Sequence, residues 1–267
     1  MNGPVVGIVG NAHVVPKHFG DLPVAGTPSW YVDALVAVGA RPVVLPSGRA
    51  ADLLDLVDAV VLTGGGDVDP ALHGGNPELA VDVDPGRDDA EIALVLAAER
   101  IGLPLLGVCR GLQVLAVAFD GRLVGGLDHV HPFTGHPVTT APGSLVRTLI
   151  GERVVTSALH HQAVSEPGSR WRPTAWAEDG AVEALEWATG DWPVLAVQWH
   201  PELAWHAELD DPTGEAIFGW VSEAARERRA ARVTERASCP EGVPVRRGAT
   251  SPAFRSTSCL QMIGVSR

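Results

Sequence analysis

Short runs dense in Val, Ile and Leu recur along the first half of the chain, at residues 5–9, 42–45, 59–62 and 103–108. They lack the alternation of a half-exposed strand, so they predict strands buried on both faces. Between them lie stretches suited to crossover helices, at residues 29–38, 51–57 and 88–101. Repeated strand–helix order predicts an α/β fold whose parallel sheet is covered on both sides. In the third helix, Asp88 is placed to cap the first turn and Glu91 completes a capping box, with Pro85-Gly86 closing the loop before it. After Gly121 the pattern changes. Residues 136–140, 153–156, 173–177, 182–187 and 194–199 are short apolar segments separated by turn residues, which predicts antiparallel strands added to the main sheet. Residues 211–229 predict a closing helix, and no repeat or linker divides residues 1–225.

Composition narrows the class. With 267 residues, 46% of them hydrophobic and 19% charged, the chain suits a globular domain and excludes a disordered or fibrous one. Its longest apolar runs fall far short of the ~20 residues that cross a bilayer, and Met1 opens no basic-then-apolar leader. A cytoplasmic protein without a membrane partner is expected. The net charge of −12 disfavours nucleic acid as a partner. That charge is uneven, since nine arginines and three glutamates put +6 on residues 226–267 and leave −18 on the rest. A body this acidic suits a substrate with a cationic leaving group. The expected organisation is one domain over 1–229 and a disordered basic tail over 230–267, where composition offers no lasting apolar period. Three widely spaced cysteines cannot form a disulfide framework, and Cys239 and Cys259 in the tail carry no expected chemistry.

Candidate chemistry concentrates in three places. Gly107-Val108-Cys109-Arg110-Gly111 follows a strand-like run and precedes a helical one. Flanking glycines relieve crowding in a tight strand-to-helix turn, which lets the thiol project from the sheet edge near the positive end of the next helix. The Arg110 N–H then points where an oxyanion would form. The same pentapeptide is compatible with a buried structural cysteine. His200-Pro201-Glu202 weighs against that, because it can supply a base and the carboxylate that orients it. Thr63-Gly64-Gly65-Gly66-Asp67-Val68-Asp69-Pro70 offers backbone N–H groups to an oxyanion or carboxylate, whereas the Walker lysine is missing. Asp67 and Asp69 there could receive an amine or act as Asx caps. In His160-His161-Gln162 the adjacent histidines point to opposite faces of an extended segment, so one of them is expected to face substrate. No His-x-x-x-His or Cys-x-x-Cys spacing occurs, and no metal or cofactor is expected.

Taken together with the Asp84-Pro85-Gly86-Arg87-Asp88 loop, these motifs resemble the class I glutamine-amidotransferase-like hydrolases, and within them the gamma-glutamyl-gamma-aminobutyrate hydrolase branch, the peptidase C26 group. The resemblance runs from about Pro4 to about Glu223. It implies a flavodoxin-like three-layer α/β/α fold, with a mostly parallel central sheet and added antiparallel strands. It implies hydrolysis of a small γ-glutamylated amine, such as one from polyamine catabolism, through a thioester. Cys109 would be the nucleophile, His200 the base and Glu202 the orienter. Gly65, Gly66 and the Arg110 N–H would form the oxyanion hole, and Gln113 and His161 would border the γ-glutamyl pocket. A homodimer is compatible with this reading. Two departures bear on which amine leaves: Ala116-Val117-Ala118-Phe119-Asp120-Gly121 replaces the family's usual segment after the elbow, and residues 122–137 form a short connection. A glutaminase subunit feeding ammonia to a synthase, and a catalytically dead γ-glutamyl-binding module, are the alternatives.

Overall fold

The computed structural model describes the backbone of residues 3–206 and 211–238, and their side chains except those of 128–134 and 235–238. The chain enters through β1 (Val5–Lys17), turns back as β2 (Gly20–Gly26), and continues through α1 (Ser29–Ala37), β3 (Arg41–Pro46), a 3-10 segment Ser47–Leu56 and β4 (Ala59–Leu62). Then come α2 (Pro70–His73), α3 (Pro85–Arg100), β5 (Leu105–Val108) and α4 (Arg110–Val117). The second half adds β6 (Arg122–Thr140), α5 (Leu145–Ile150), β7 (Arg153–Glu166), β8 (Trp171–Ala177), β9 (Val182–Trp187), β10 (Val194–Val197) and the long α6 (Gly214–Ser238).

Among the described residues, one ten-stranded sheet carries the fold. The first half of β1 lies parallel between β3 and β4, β4 is parallel to β5, and β5 is parallel to β10. Alternate residues of these strands enter two separate cores. Val9, Val60, Leu62, Leu105 and Ala196 pack on α3 and α4, whereas Ile8, Val61, Leu106, Leu195 and Val197 pack on α1 and α6. Period-two alternation in a strand covered on both sides requires apolar residues at every position, which explains the continuous runs in the sequence. The result is the expected three-layer α/β/α arrangement with a mostly parallel centre.

Several elements differ from their expected form. Residues 194–199 were expected among the antiparallel strands. Instead β10 is parallel to β5 and antiparallel to β9, so it is the seam between the two kinds of sheet. Residues 136–140 and 153–156 are the ends of the long strands β6 and β7, whose pairing is interrupted by register shifts. The segment expected as a helix over 51–57 belongs to the 3-10 run instead. Helix α3 starts earlier than Asp88: Asp84 caps it, accepting from the Arg87 N–H at 3.1 Å, and Pro85 occupies the first turn, where its missing N–H costs nothing.

The closing helix begins at Gly214 and continues through Ser238, so the boundary expected at residue 229 falls inside it. Its arginines dock the helix on the sheet's lower edge. Arg229 donates to the Gly3 carbonyl at 2.9 Å, and Arg232 to the Val57 and Asp55 carbonyls at 3.3 and 3.0 Å. Part of the basic segment is therefore a fastening. Residues 239–267, with Cys239 and Cys259, lie outside the described residues. Phe119, in the departing segment after the elbow, packs edge-on against Trp187 with centroids 4.9 Å apart, inside a cluster with Trp171 and Trp192. Among the described residues no helix is long and apolar enough to cross a membrane.

Candidate active site

Cys109 occupies the single residue between β5 and α4, at φ 52° and ψ −106°. A side chain at positive φ costs about 1–3 kcal/mol and persists only where the surroundings enforce it. Here they do. The Cys109 N–H donates to the Val197 carbonyl at 2.8 Å, and its own carbonyl accepts from Leu112 N–H at 3.0 Å. Gly111 lets α4 lie directly on β4, because a Cβ there would sit 2.6 Å from the Leu62 carbonyl oxygen. The flanking glycine thus serves close packing of the helix, while the strained φ belongs to the cysteine. Its side chain is buried, with the Gln198 amide 3.6 Å from Sγ.

His200 follows β10 and is anchored by its own N–H to the Ser157 carbonyl at 3.2 Å. Its Nδ1 lies 2.7 Å from Glu202 Oε1. A carboxylate only accepts, so Nδ1 carries the proton and Nε2 is left for the thiol side. Burial opposes charge on this imidazole, but the Glu202 carboxylate and the Cys109 sulfur together hold its pKa well above the ordinary histidine value. Glu202 is itself buried in the 3-10 turn Pro201–Trp205.

The triple-glycine loop closes over this pair. A Cβ on Gly64 would sit 2.9 Å from His200 Cε1 and 3.6 Å from Cys109 Cβ, so only glycine admits both side chains. The Gly64 N–H donates to the Tyr31 hydroxyl at 3.0 Å. Burial first, then the nearby Glu202 charge, raises the Tyr31 pKa well above its usual value, so it remains a neutral phenol. With Gly64 engaged in this way, Gly65 and Gly66 are left as the loop's candidate donors to a ligand. A side chain on Gly65 would run into Arg87.

Beneath the loop lies a buried ion network that the sequence did not disclose. Arg87 donates to the Thr63 and Gly64 carbonyls at 3.3 and 3.1 Å and to Glu91 at 2.7 Å. The Arg110 side chain pairs with both Asp88 and Glu91. Asp88 also accepts from the Asp69 N–H at 2.9 Å. Asp88 and Glu91 thus brace the glycine loop rather than cap a helix. Arg110 offers only its backbone N–H toward the cysteine. A salt bridge four residues apart, as in Arg87–Glu91, is a helix signal that could have pointed here.

The remaining expected residues divide. His161 is partly exposed and lies 3.2 Å from Asp67 Oδ1, beside the glycine loop. The second Asp67 oxygen accepts from the Val81 N–H, and Asp69 caps α2 through the Ala71 N–H, so Asp69 takes the Asx role. Gln113 was expected to border the pocket. It is buried, with its amide on the Gln162 carbonyl at 2.7 Å and Gln198 Oε1 at 3.3 Å, and Gln198 in turn meets the thiol. Gly66 packs against the Asp82 carbonyl and holds the loop's turn.

The peptidase C26 family model matches residues 4–202. A Mycobacterium tuberculosis protein provisionally described as a glutamine amidotransferase is 40% identical over 224 residues, 78% of this chain and 71% of its own. The gamma-glutamyl-gamma-aminobutyrate hydrolase PuuD of Escherichia coli is 31% identical over 226 residues, covering 76% of this chain and 87% of its own. Among solved structures, a Thermoplasma acidophilum protein provisionally described as a GMP synthase subunit superposes with a TM-score of 0.63 at 17% identity, over 87% of this chain and 99% of its own. That likeness concerns the fold. The chain belongs to the peptidase C26 family of glutamine-amidotransferase-like proteins.

Proposed function

We propose that this protein hydrolyses the γ-glutamyl amide bond of a small γ-glutamylated amine, with Cys109 as nucleophile, His200 as proton carrier and Glu202 as its orienter. The reading rests on one observation: an imidazole fixed by Glu202 at 2.7 Å and lodged with Cys109 against Gly64, at the tip of a strained elbow. His200 Nε2 takes the thiol proton, and sulfur attacks the side-chain carbonyl carbon. The oxyanion that forms is received by the N–H groups of Gly65 and Arg110. His200 then protonates the departing nitrogen, the C–N bond breaks, and a thioester remains. Water, giving its proton to the same imidazole, attacks the thioester, and glutamate leaves with the thiol restored. Asp67 and His161, which lie 3.2 Å apart beside the loop, are the groups to which this reading assigns the glutamyl end. The similarity to PuuD supports a γ-glutamyl amide as the substrate class.

The test is glutamate release from a panel containing the γ-glutamyl conjugates of aminobutyrate, putrescine and ethanolamine, with glutamine alongside. Turnover of at least one conjugate well above glutamine is expected, and inertness toward every member sinks the proposal. The relatives described as glutamine amidotransferases favour a second reading, a glutaminase that feeds ammonia to a synthase. Under that reading glutamine is preferred and its hydrolysis rises when the synthase is added.

A further inference from the structure

On the antiparallel wing, three side chains from three strands converge. His136 lies on β6, His160 on β7 and Glu183 on β9, with side-chain exposures of 12%, 1% and 0%. His136 Nε2 is 3.4 Å and His160 Nε2 3.5 Å from the same atom, Glu183 Oε1, and all three donor atoms lie within 4.8 Å of one another. From this geometry we infer that His136, His160 and Glu183 form a binding site for one divalent transition-metal ion of the zinc type.

Three observations carry the inference. Glu183 is a fully buried carboxylate, and among the described residues its oxygens meet the two imidazoles without closing a well-formed hydrogen bond to any group. A buried carboxylate left this way is costly unless a positive charge lies against it. The second observation concerns His160. Its Nδ1 is 3.2 Å from the Gln162 carbonyl, which only accepts, so Nδ1 carries a proton. The neutral ring then turns the lone pair of Nε2 toward Glu183, and two acceptors face each other. Either a second proton or a metal ion resolves that repulsion. A ligand histidine whose other nitrogen donates to a backbone carbonyl is the usual outer-shell arrangement of zinc sites.

Distance separates the two resolutions. A charge-assisted N–H···O contact closes to about 2.7–2.9 Å. The observed 3.4 and 3.5 Å instead match the ligand–ligand edge of a tetrahedral ion, about 3.4 Å for bonds of about 2.0–2.1 Å. The two imidazoles meet edge-to-face at 77°, which lets both nitrogens address one point without the rings stacking. A register shift in β6–β7 pairing between His131 and His136 accompanies this convergence, and bulges of this kind re-aim side chains. His136 is the partly exposed member, which gives an ion a way in.

Such an ion would staple β6, β7 and β9 together, and Gln198 links that staple to the thiol, since the Glu183 carbonyl accepts from Gln198 N–H at 2.8 Å and the Gln198 amide meets Cys109 Sγ. The experiment uses the full chain carrying Cys109→Ala, so that the thiol offers no competing ligand. After chelator treatment it is titrated with Co2+, then Zn2+. One equivalent of Co2+ with tetrahedral ligand-field bands is expected, displaced by Zn2+, together with a Tm rise of several degrees. Glu183→Gln and His136→Gln are each expected to weaken binding by at least about tenfold. Should Glu183→Gln fail to fold, the rim variant His136→Gln carries the test alone. Absence of bands and of any Tm shift overturns the proposal, as does equal Co2+ affinity in a folded variant. Nitrogen NMR showing both rings doubly protonated at neutral pH in the presence of Co2+ overturns it too.

Discussion

The parallel half of the sheet and its antiparallel wing solve the burial of polar groups in opposite ways. In the parallel half, Cys109, His200 and the glycine loop sit at the carboxyl ends of β5, β10 and β4, where a strand's last residue and the following turn place a side chain by backbone geometry alone. Charge beneath them is neutralised pairwise, Arg87 with Glu91 and Arg110 with Asp88 and Glu91. In the wing, the buried Glu183 faces two histidines and, among the described residues, no arginine. The first arrangement holds charge constant and so keeps a loop rigid. The second leaves room for an exchangeable cation. The two meet at the β9–β10 seam, where Gln198 touches both Glu183 and Cys109.

The sharpest way to break this contrast is to remove the thiol. Cys109→Ala is expected to lower γ-glutamyl turnover by at least about a thousandfold with thermal stability retained, because the substitution removes the proposed nucleophile and leaves its scaffold in place. Wild-type turnover in that variant would move the chemistry elsewhere. Next in size is Glu91→Gln, which leaves two buried guanidinium groups short of one carboxylate. A loss of about 3–5 kcal/mol in denaturant unfolding is expected, with kcat falling as the Gly64–Gly65 turn loosens. A change within ~0.5 kcal/mol would show that the network is not the loop's support.

Glu202→Gln probes the triad's electrostatics. His200 has its folded pKa raised above the unfolded value of about 6.5. Its contribution to stability is therefore full below about pH 6.5 and is lost as pH climbs through the raised folded value. The stability gap between wild type and Glu202→Gln should narrow toward alkaline pH, and the His200 ring should titrate lower in the variant by NMR. A gap that widens with pH contradicts the assignment. The smallest effect is expected at Arg232→Ala, on the docking face of α6. Losing two partly exposed contacts to carbonyls should cost about 1 kcal/mol or less and leave turnover untouched.

Legibility followed the range over which each feature is encoded. The elbow and His200-Pro201-Glu202 are short patterns whose residue types already imply their geometry, and the central strands announce themselves because double burial demands unbroken apolar runs. The Arg87–Glu91–Arg110–Asp88 network spans two helices, and its acidic members imitate a capping box. The Tyr31 contact is not legible in α1 because nothing local ties a helical tyrosine to a glycine 33 residues later. His136, His160 and Glu183 are separated by whole strands, and no chelating spacing exists to be found.

By itself the sequence determined the layer order, the strained cysteine turn and the pairing of imidazole with carboxylate, since each depends on neighbours within a few residues. Tertiary structure decided that β10 runs parallel to β5, that Arg110 turns its guanidinium down into the core, and that two histidines share one buried carboxylate. Those outcomes depend on strand register and on which charges must be neutralised where water is excluded, and both are set only when distant segments pack.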